Sequence, residues 1–308
     1  MNTIIFDDEI TFWWDIDEYQ DAKTYSFYLD GKLHGETSKT HYTFASLKEK
    51  TTYRIRMDAG ENSREFTLST RAKKRRLDIT KAPYFAVGDG KTLNTSSIQK
   101  ALDDCTENDC VYIPQGTFLT GALDMHAGSE LYVEKGGGLK GSEQPEDYLP
   151  KIRSRFEGIE QDCYRSLLNI GRLDYTAGYT TGNVVIRGKG TIFGGGDPLC
   201  SAIIQAETIA LKKFLEENQE YVKTCETPHT IAGRARGRLI HICNAENVII
   251  GGLTLGYGAS WNIHFTYSKN ILTYACRILS ADWESDDGAW KMQEVENGDG
   301  WDPDSSED

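Results

Sequence analysis

What this 308-residue sequence lacks narrows the reading first. It is short of basic residues: 34 Lys and Arg stand against 47 Asp and Glu, a formal net charge of −13. That balance argues against nucleic acid and anionic membranes as general partners, and an anionic ligand would need a local basic cleft. No apolar run approaches a membrane span. The opening residues carry Asp7, Asp8 and Glu9 and no basic segment, unlike a secretory signal, so the expected location is the cytoplasm. An incomplete N-terminus would make it secreted or periplasmic. Of seven cysteines, only Cys105 and Cys110 lie close together, at a spacing unsuited to zinc. Buried thiols are expected, with a Cys105–Cys110 disulfide open only to an exported protein. No metal and no cofactor is expected.

What is present falls into two blocks. Through residue 72, apolar residues alternate: Ile10, Phe12 and Trp14; Tyr25, Phe27 and Leu29; Tyr53, Ile55 and Met57; then Phe66 and Leu68. Asp30-Gly31 supplies a tight turn. Short strands at this spacing predict a small antiparallel β-sandwich. The basic run Arg71 to Arg76 sits at the junction, and residues 73–83 are expected to be a solvated linker.

Residues 84–308 have another pattern. A helix is predicted after an N-cap at Thr95, Ser96 or Ser97, running through Cys105, and a longer one within residues 203–222, interrupted at Thr208. Between them Val111 to Pro114, Gly116 to Phe118 and Leu131 to Val133 read as short strands. The repeat decides the fold. Asn183-Val184-Val185-Ile186 returns as Asn247-Val248-Ile249-Ile250, and again as Asn270-Ile271-Leu272-Thr273. The last two copies are 270 − 247 = 23 residues apart, and the glycines between them leave little room for the crossover helix of a doubly wound sheet. Stacked parallel strands explain it, one coil per repeat, with each turn Asn sharing amide hydrogen bonds with the next coil. The expected fold class is all-β, a right-handed parallel β-helix preceded by the small antiparallel β-sandwich.

Carboxylates crowd the C-terminal end: Asp282, Glu284, Asp286, Asp287, Glu294, Glu296, Asp299, Asp302, Asp304, Glu307 and Asp308. Most read as an acidic tail. Asn297-Gly298-Asp299-Gly300-Trp301-Asp302-Pro303-Asp304 differs, combining glycines, an aromatic residue and spaced carboxylates. A calcium loop starting at Asp299 would lack its twelfth-position Glu.

Two resemblances enter here. In the first block, Leu47-Lys48-Glu49-Lys50-Thr51-Thr52-Tyr53 and the strand ending in Trp14 resemble fibronectin type III domains, with Lys50 where that family usually has Gly. The second block resembles glycoside hydrolase family 28, the polygalacturonases. The resemblance rests on the Tyr84 to Cys105 opening, on Val111 to Gly121, and on Arg238 to Leu255. It also rests on Trp261-Asn262-Ile263-His264 as W-x-[IV]-H, and on Asn297-Gly298-Asp299-Gly300 as Asn-Thr-Asp-Gly with Gly298 in place of Thr. It implies inverting hydrolysis of α-1,4 galacturonide bonds in pectin or oligogalacturonides, exo-acting, by a monomer that binds neither nucleic acid nor membrane. Asp299 then matches a water-activating catalytic aspartate. Asn297, His264, Trp261 and Asp302 become substrate-binding candidates, Asp302 also positioning Asp299, while Trp301 is expected in the core. The family's Asp-Asp pair, Gly-His-Gly and Arg-Ile-Lys motifs would follow Asp308, so an incomplete site is expected; Asp286-Asp287 is a poor substitute. Competing readings are a calcium-dependent pectate-lyase-like β-helix and a non-catalytic carbohydrate-binding fragment.

Overall fold

A computed structural model describes residues 1–19, 22–176, 178–283, 290–292 and 297–307. The chain divides into two compact units, Met1–Arg75 and Arg76–Asp308.

The first unit has two antiparallel sheets. Asn2–Ile5, Glu9–Trp13 and His41–Ala45 form one; Lys32–Thr37, Tyr25–Leu29, Thr52–Ala59 and Asn62–Ser69 form the other. The alternating residues meet between them: Ile10, Phe12, Trp14, Tyr25, Phe27, Phe44, Ile55 and Met57 are all buried. Asp30 and Gly31, both at positive φ, turn the hairpin. The Tyr53 hydroxyl accepts the Lys48 N–H at 2.8 Å, anchoring the loop before its strand. Lys50 adopts φ +49°, the left-handed region in which Gly is at ease.

The second unit is a parallel β-helix of three sheets. The first sheet stacks Arg75–Asp78, Asp109–Ile113, Glu130–Val133, Thr181–Gly188, Ala245–Gly251 and Lys269–Tyr274. The second stacks Asp89–Leu93, Gly116–Thr120, Gly137–Gly141, Thr191–Phe193, Thr254–Gly256 and Arg277–Leu279. The third runs Leu123–Met125, Leu168–Gly171, Ile240–Cys243, Ile263–Thr266 and Trp301–Asp304. Parallel register puts like on like. Val111, Leu131, Ile186 and Ile250 make one column; Phe118, Leu139, Ile192 and Leu255 another; Leu123, Leu168, Ile240 and Ile263 a third. Each coil therefore buries its apolar residues against its neighbours.

The repeated asparagines form the expected ladder. Asn183, Asn247 and Asn270 all have φ near +55°. Asn270 Nδ2 donates to Asn247 Oδ1 at 2.9 Å, and Asn247 Nδ2 to Asn183 Oδ1 at 3.3 Å. Asn suits this turn because its short side chain tolerates the left-handed conformation and its amide both gives and accepts. Asn247→Ala is expected to cost about 2 kcal/mol, backbone strain plus two amide bonds, whereas Asn247→Gly, which relieves the strain, is expected to cost about half that. Urea unfolding of the two variants separates the contributions; equal losses would contradict a strained turn.

Several expectations need correction. Residues 73–83 are not a linker: Arg75–Asp78 is a strand of the first sheet, Leu77 packs on the core, and Arg76 lies over the Tyr112 ring at 4.3 Å. The first helix is Thr95–Asp103 with Asn94 at its N-cap. The long helix begins earlier and breaks into Gly196–Ala210, Lys212–Glu217 and Gln219–Val222. Thr208 contributes, its hydroxyl bonding the Ile204 carbonyl at 2.7 Å in the manner that bends helices. Trp301 joins the inward column but is 45% exposed, because its strand is the last of the sheet among the described residues. All seven cysteines are free thiols, with Cys225 and Cys276 only partly buried.

Candidate active site

Insertions fall repeatedly at one corner of the β-helix, between the second and third sheets. Only two residues, Gly121 and Ala122, span that corner between Gly116–Thr120 and Leu123–Met125. One coil on, it carries the hairpin Ile152–Phe156 and Ile159–Cys163; the next carries the helices Gly196–Ala210 to Thr230–Gly233. On the last coil it carries the antiparallel pair Ala281–Trp283 and Trp290–Met292. Asp286-Asp287 lie outside the described residues.

The outward face of the third sheet beside this corner is polar. Asp124, Asn169, His241, His264 and Asp302 stand in register on successive strands. Asn297, at φ +59°, precedes the last strand, and its Oδ1 accepts from Arg236 Nη2 at 2.8 Å. The Asp299 side chain is exposed, and its backbone carbonyl takes the structural bonds, from Asn262 N at 2.8 Å and Asn262 Nδ2 at 3.1 Å. The loop is thus pinned through its main chain and the Asp299 carboxylate is left free to face solvent.

Asp302 is half-buried, and its Oδ2 has no hydrogen-bond partner among the described residues, so the bond expected of it to a neighbouring turn is not seen. Burial pushes its carboxyl up to about 6, the Asp299 charge adds to that, and Arg238 opposes it. Asp299→Asn is expected to lower the Asp302 pKa without returning it to 3.8, because burial, the larger cause, remains. Carbon-13 NMR titration of the carboxyls checks this. The sign for stability follows: the folded state holds a proton that the unfolded state releases near 3.8, so this group penalises folding increasingly between pH 3.8 and about 6.

Trp261 is packed on both its flanks. Phe156 of the hairpin stacks on it at 4.4 Å and 17°, His264 lies at 4.7 Å, and the Arg238 guanidinium sits 5.2 Å from its ring centre. His264 is only 1% exposed, so its polar edge serves the floor of the site. Asn297, Asp299, Asp302, His264 and Trp261 do converge on the end of one sheet.

The arginines were not legible as site residues. Arg155 of the hairpin pairs with Asp304 at 3.0 Å. Arg236 ties the helical insertion to Asn297, donating also to the carbonyls of Gly233 and Ala259. Arg238 is buried, lies 4.7 Å from the Phe156 ring centre, and donates to Ser154 Oγ at 3.3 Å. The signal was there: Arg234, Arg236 and Arg238 cluster directly before the strand Ile240–Cys243, and the fold buries Arg236 and Arg238. Glu157, Glu226, Thr227, Thr230, Arg236 and Asn297 line a cleft of about 180 Å³ beside the Asp299 loop. Among the described residues no three His, Cys, Asp or Glu side chains gather as a metal site.

The site is thus framed by a parallel β-helix, with two neighbouring carboxylates beside its last described strand, insertions at the adjoining corner and arginines beneath. The chain's sequence is similar to those of polygalacturonases. It is 30% identical over 258 residues to the exo-poly-alpha-D-galacturonosidase of Dickeya chrysanthemi, covering 79% of this chain and 42% of that protein. It is 26% identical over 208 residues to a probable polygalacturonase of Vitis vinifera, covering 64% and 36%. The chain thus spans less than half the length of either relative. Among solved structures, its fold is similar to a family 28 exopolygalacturonase of Yersinia enterocolitica, with a TM-score of 0.70 at 21% identity over 91% of this chain and 60% of that one. The hyperthermoactive exopolygalacturonase of Thermotoga maritima gives 0.51 at 24% identity over 68% and 48%. No family model matches the chain.

Proposed function

We propose that this protein hydrolyses α-1,4 galacturonide bonds of pectic oligosaccharides from the chain end, with inversion, and that Asp299 activates the attacking water. The observation that carries the reading is the Asp299–Asp302 pair. One carboxylate is exposed before the last described strand, and the other is half-buried with its carboxyl raised, partly by the first. A solvent-facing carboxylate beside a second, half-buried carboxyl that holds its proton more tightly than usual suits water activation at the first. Homology to galacturonan-cleaving proteins supports the substrate class. Arg155, Arg236 and Arg238 lie under the site, and they are the cationic groups that an acidic sugar would meet there in a protein of net charge −13. Asn297 and Trp261 are the residues we assign to the sugar, Asp302 to the support of Asp299.

The test is incubation of the whole protein with polygalacturonate and with saturated galacturonide oligomers. The reading expects new reducing ends and free galacturonate. Binding without any release, unchanged in Asp299→Asn, would move the assignment to a carbohydrate-binding role.

A further inference from the structure

His241 and His264 stand in register on adjacent strands, their rings 5.2 Å apart and 6° from parallel. Both are buried, and their Nδ1 atoms are 3.1 Å apart. Only one of those two nitrogens can carry the proton that joins them. Which one is decided further back. Arg238 Nη1 donates to Ser154 Oγ at 3.3 Å, and a guanidinium can only donate, so the Ser154 oxygen accepts there. The Ser154 hydroxyl proton then has His241 Nε2 at 3.0 Å, and no other acceptor among the described residues. His241 Nε2 is therefore the acceptor and its proton sits on Nδ1. His264 Nδ1 accepts in turn, which leaves the His264 proton on Nε2. That nitrogen is buried and has no hydrogen-bond partner among the described residues, with Asp304 Oδ2 at 3.8 Å and Asp302 its neighbour in register.

We propose that Arg238, Ser154, His241 and His264 form a one-way hydrogen-bond column that locks His264 as a neutral Nε2–H donor directed at the strand carrying Asp302 and Asp304. Burial first, and then the Arg238 charge, hold both rings well below the ordinary histidine range, so neither takes a second proton. The charged groups around His264 are Arg238, Arg155, Asp302 and Asp304, with Arg155 and Asp304 paired to each other. His264 then presents its N–H to the strand that carries Asp302 and Asp304. Its use in catalysis rests on the hydrolase reading; the tautomers do not.

Nitrogen-15 NMR of histidine-labelled protein reads the tautomers directly. The expected result is Nδ1–H at His241 and Nε2–H at His264, with neither ring titrating across roughly pH 5–8, where an ordinary histidine does. Ser154→Ala removes the proton that sets the direction, and both tautomers should become mixed; Ser154→Thr restores the hydroxyl and the single pattern. A wild-type His264 carrying its proton on Nδ1, or titrating in the ordinary range, overturns the column, and so does an unchanged tautomer pattern in a folded Ser154→Ala. If Ser154→Ala fails to fold, the wild-type spectrum alone decides. Because no turnover is read, an absence of hydrolysis would count against the proposed function and leave this result standing.

Discussion

Asp299→Asn is expected to lower kcat for galacturonide hydrolysis by about 10²–10⁴-fold, the usual weight of a positioned proton-transfer group. KM should change by no more than a few-fold, since the amide keeps the shape of the side chain. The substitution is a fair test because the fold does not lean on the carboxylate. The Asp299 backbone carbonyl receives both bonds from Asn262, and Ile263 N bonds the Gly300 carbonyl at 3.1 Å, so the loop keeps its place without the side-chain charge. A circular-dichroism melt close to wild type, together with the kinetic loss, is the expected pairing. A variant that keeps most of its kcat would remove Asp299 from the chemistry.

The second large effect is on stability. Glu130 and Arg187 pair at 2.7 Å inside the first sheet, both nearly fully buried, with the guanidinium 4.9 Å from the Tyr132 ring centre. Removing one partner breaks a buried charge pair, which costs about 3–5 kcal/mol. Glu130→Leu and Arg187→Met are each expected to fall in that range by urea unfolding. The double variant, which buries no charge, is expected to recover much of the loss. Additive losses in the double variant would mean that the two charges do not stabilise each other.

The β-helix was legible because its signal is periodic. An Asn before the apolar run marks three successive coils and encodes both the turn and the ladder, and Asn247 and Asn270 sit where that pattern puts them. The sandwich was legible for the same reason: alternation in Ile10, Phe12 and Trp14 translates directly into one buried face. What escaped was everything the repeat does not govern. The hairpin Ile152–Phe156 and Ile159–Cys163 buries few of its residues in the main core, so its sequence carries little apolar pattern. Yet it delivers Phe156 to Trp261 and Arg155 to Asp304. Arg236 and Arg238 were hidden because a global charge averages over the surface while these two lie buried beneath it. The histidine column was invisible for another reason. His241 and His264 are 23 residues apart, and only the coil register makes them neighbours.

The central claim is hydrolysis at the end of the third sheet with Asp299 activating water. The measurement that meets it most directly is a proton NMR time course of the whole protein acting on a saturated galacturonide trimer. The account predicts stepwise appearance of free galacturonate whose first-formed anomer is inverted, and its disappearance in Asp299→Asn. An unsaturated, ultraviolet-absorbing product that depends on calcium, or galacturonate release that survives Asp299→Asn, would contradict it.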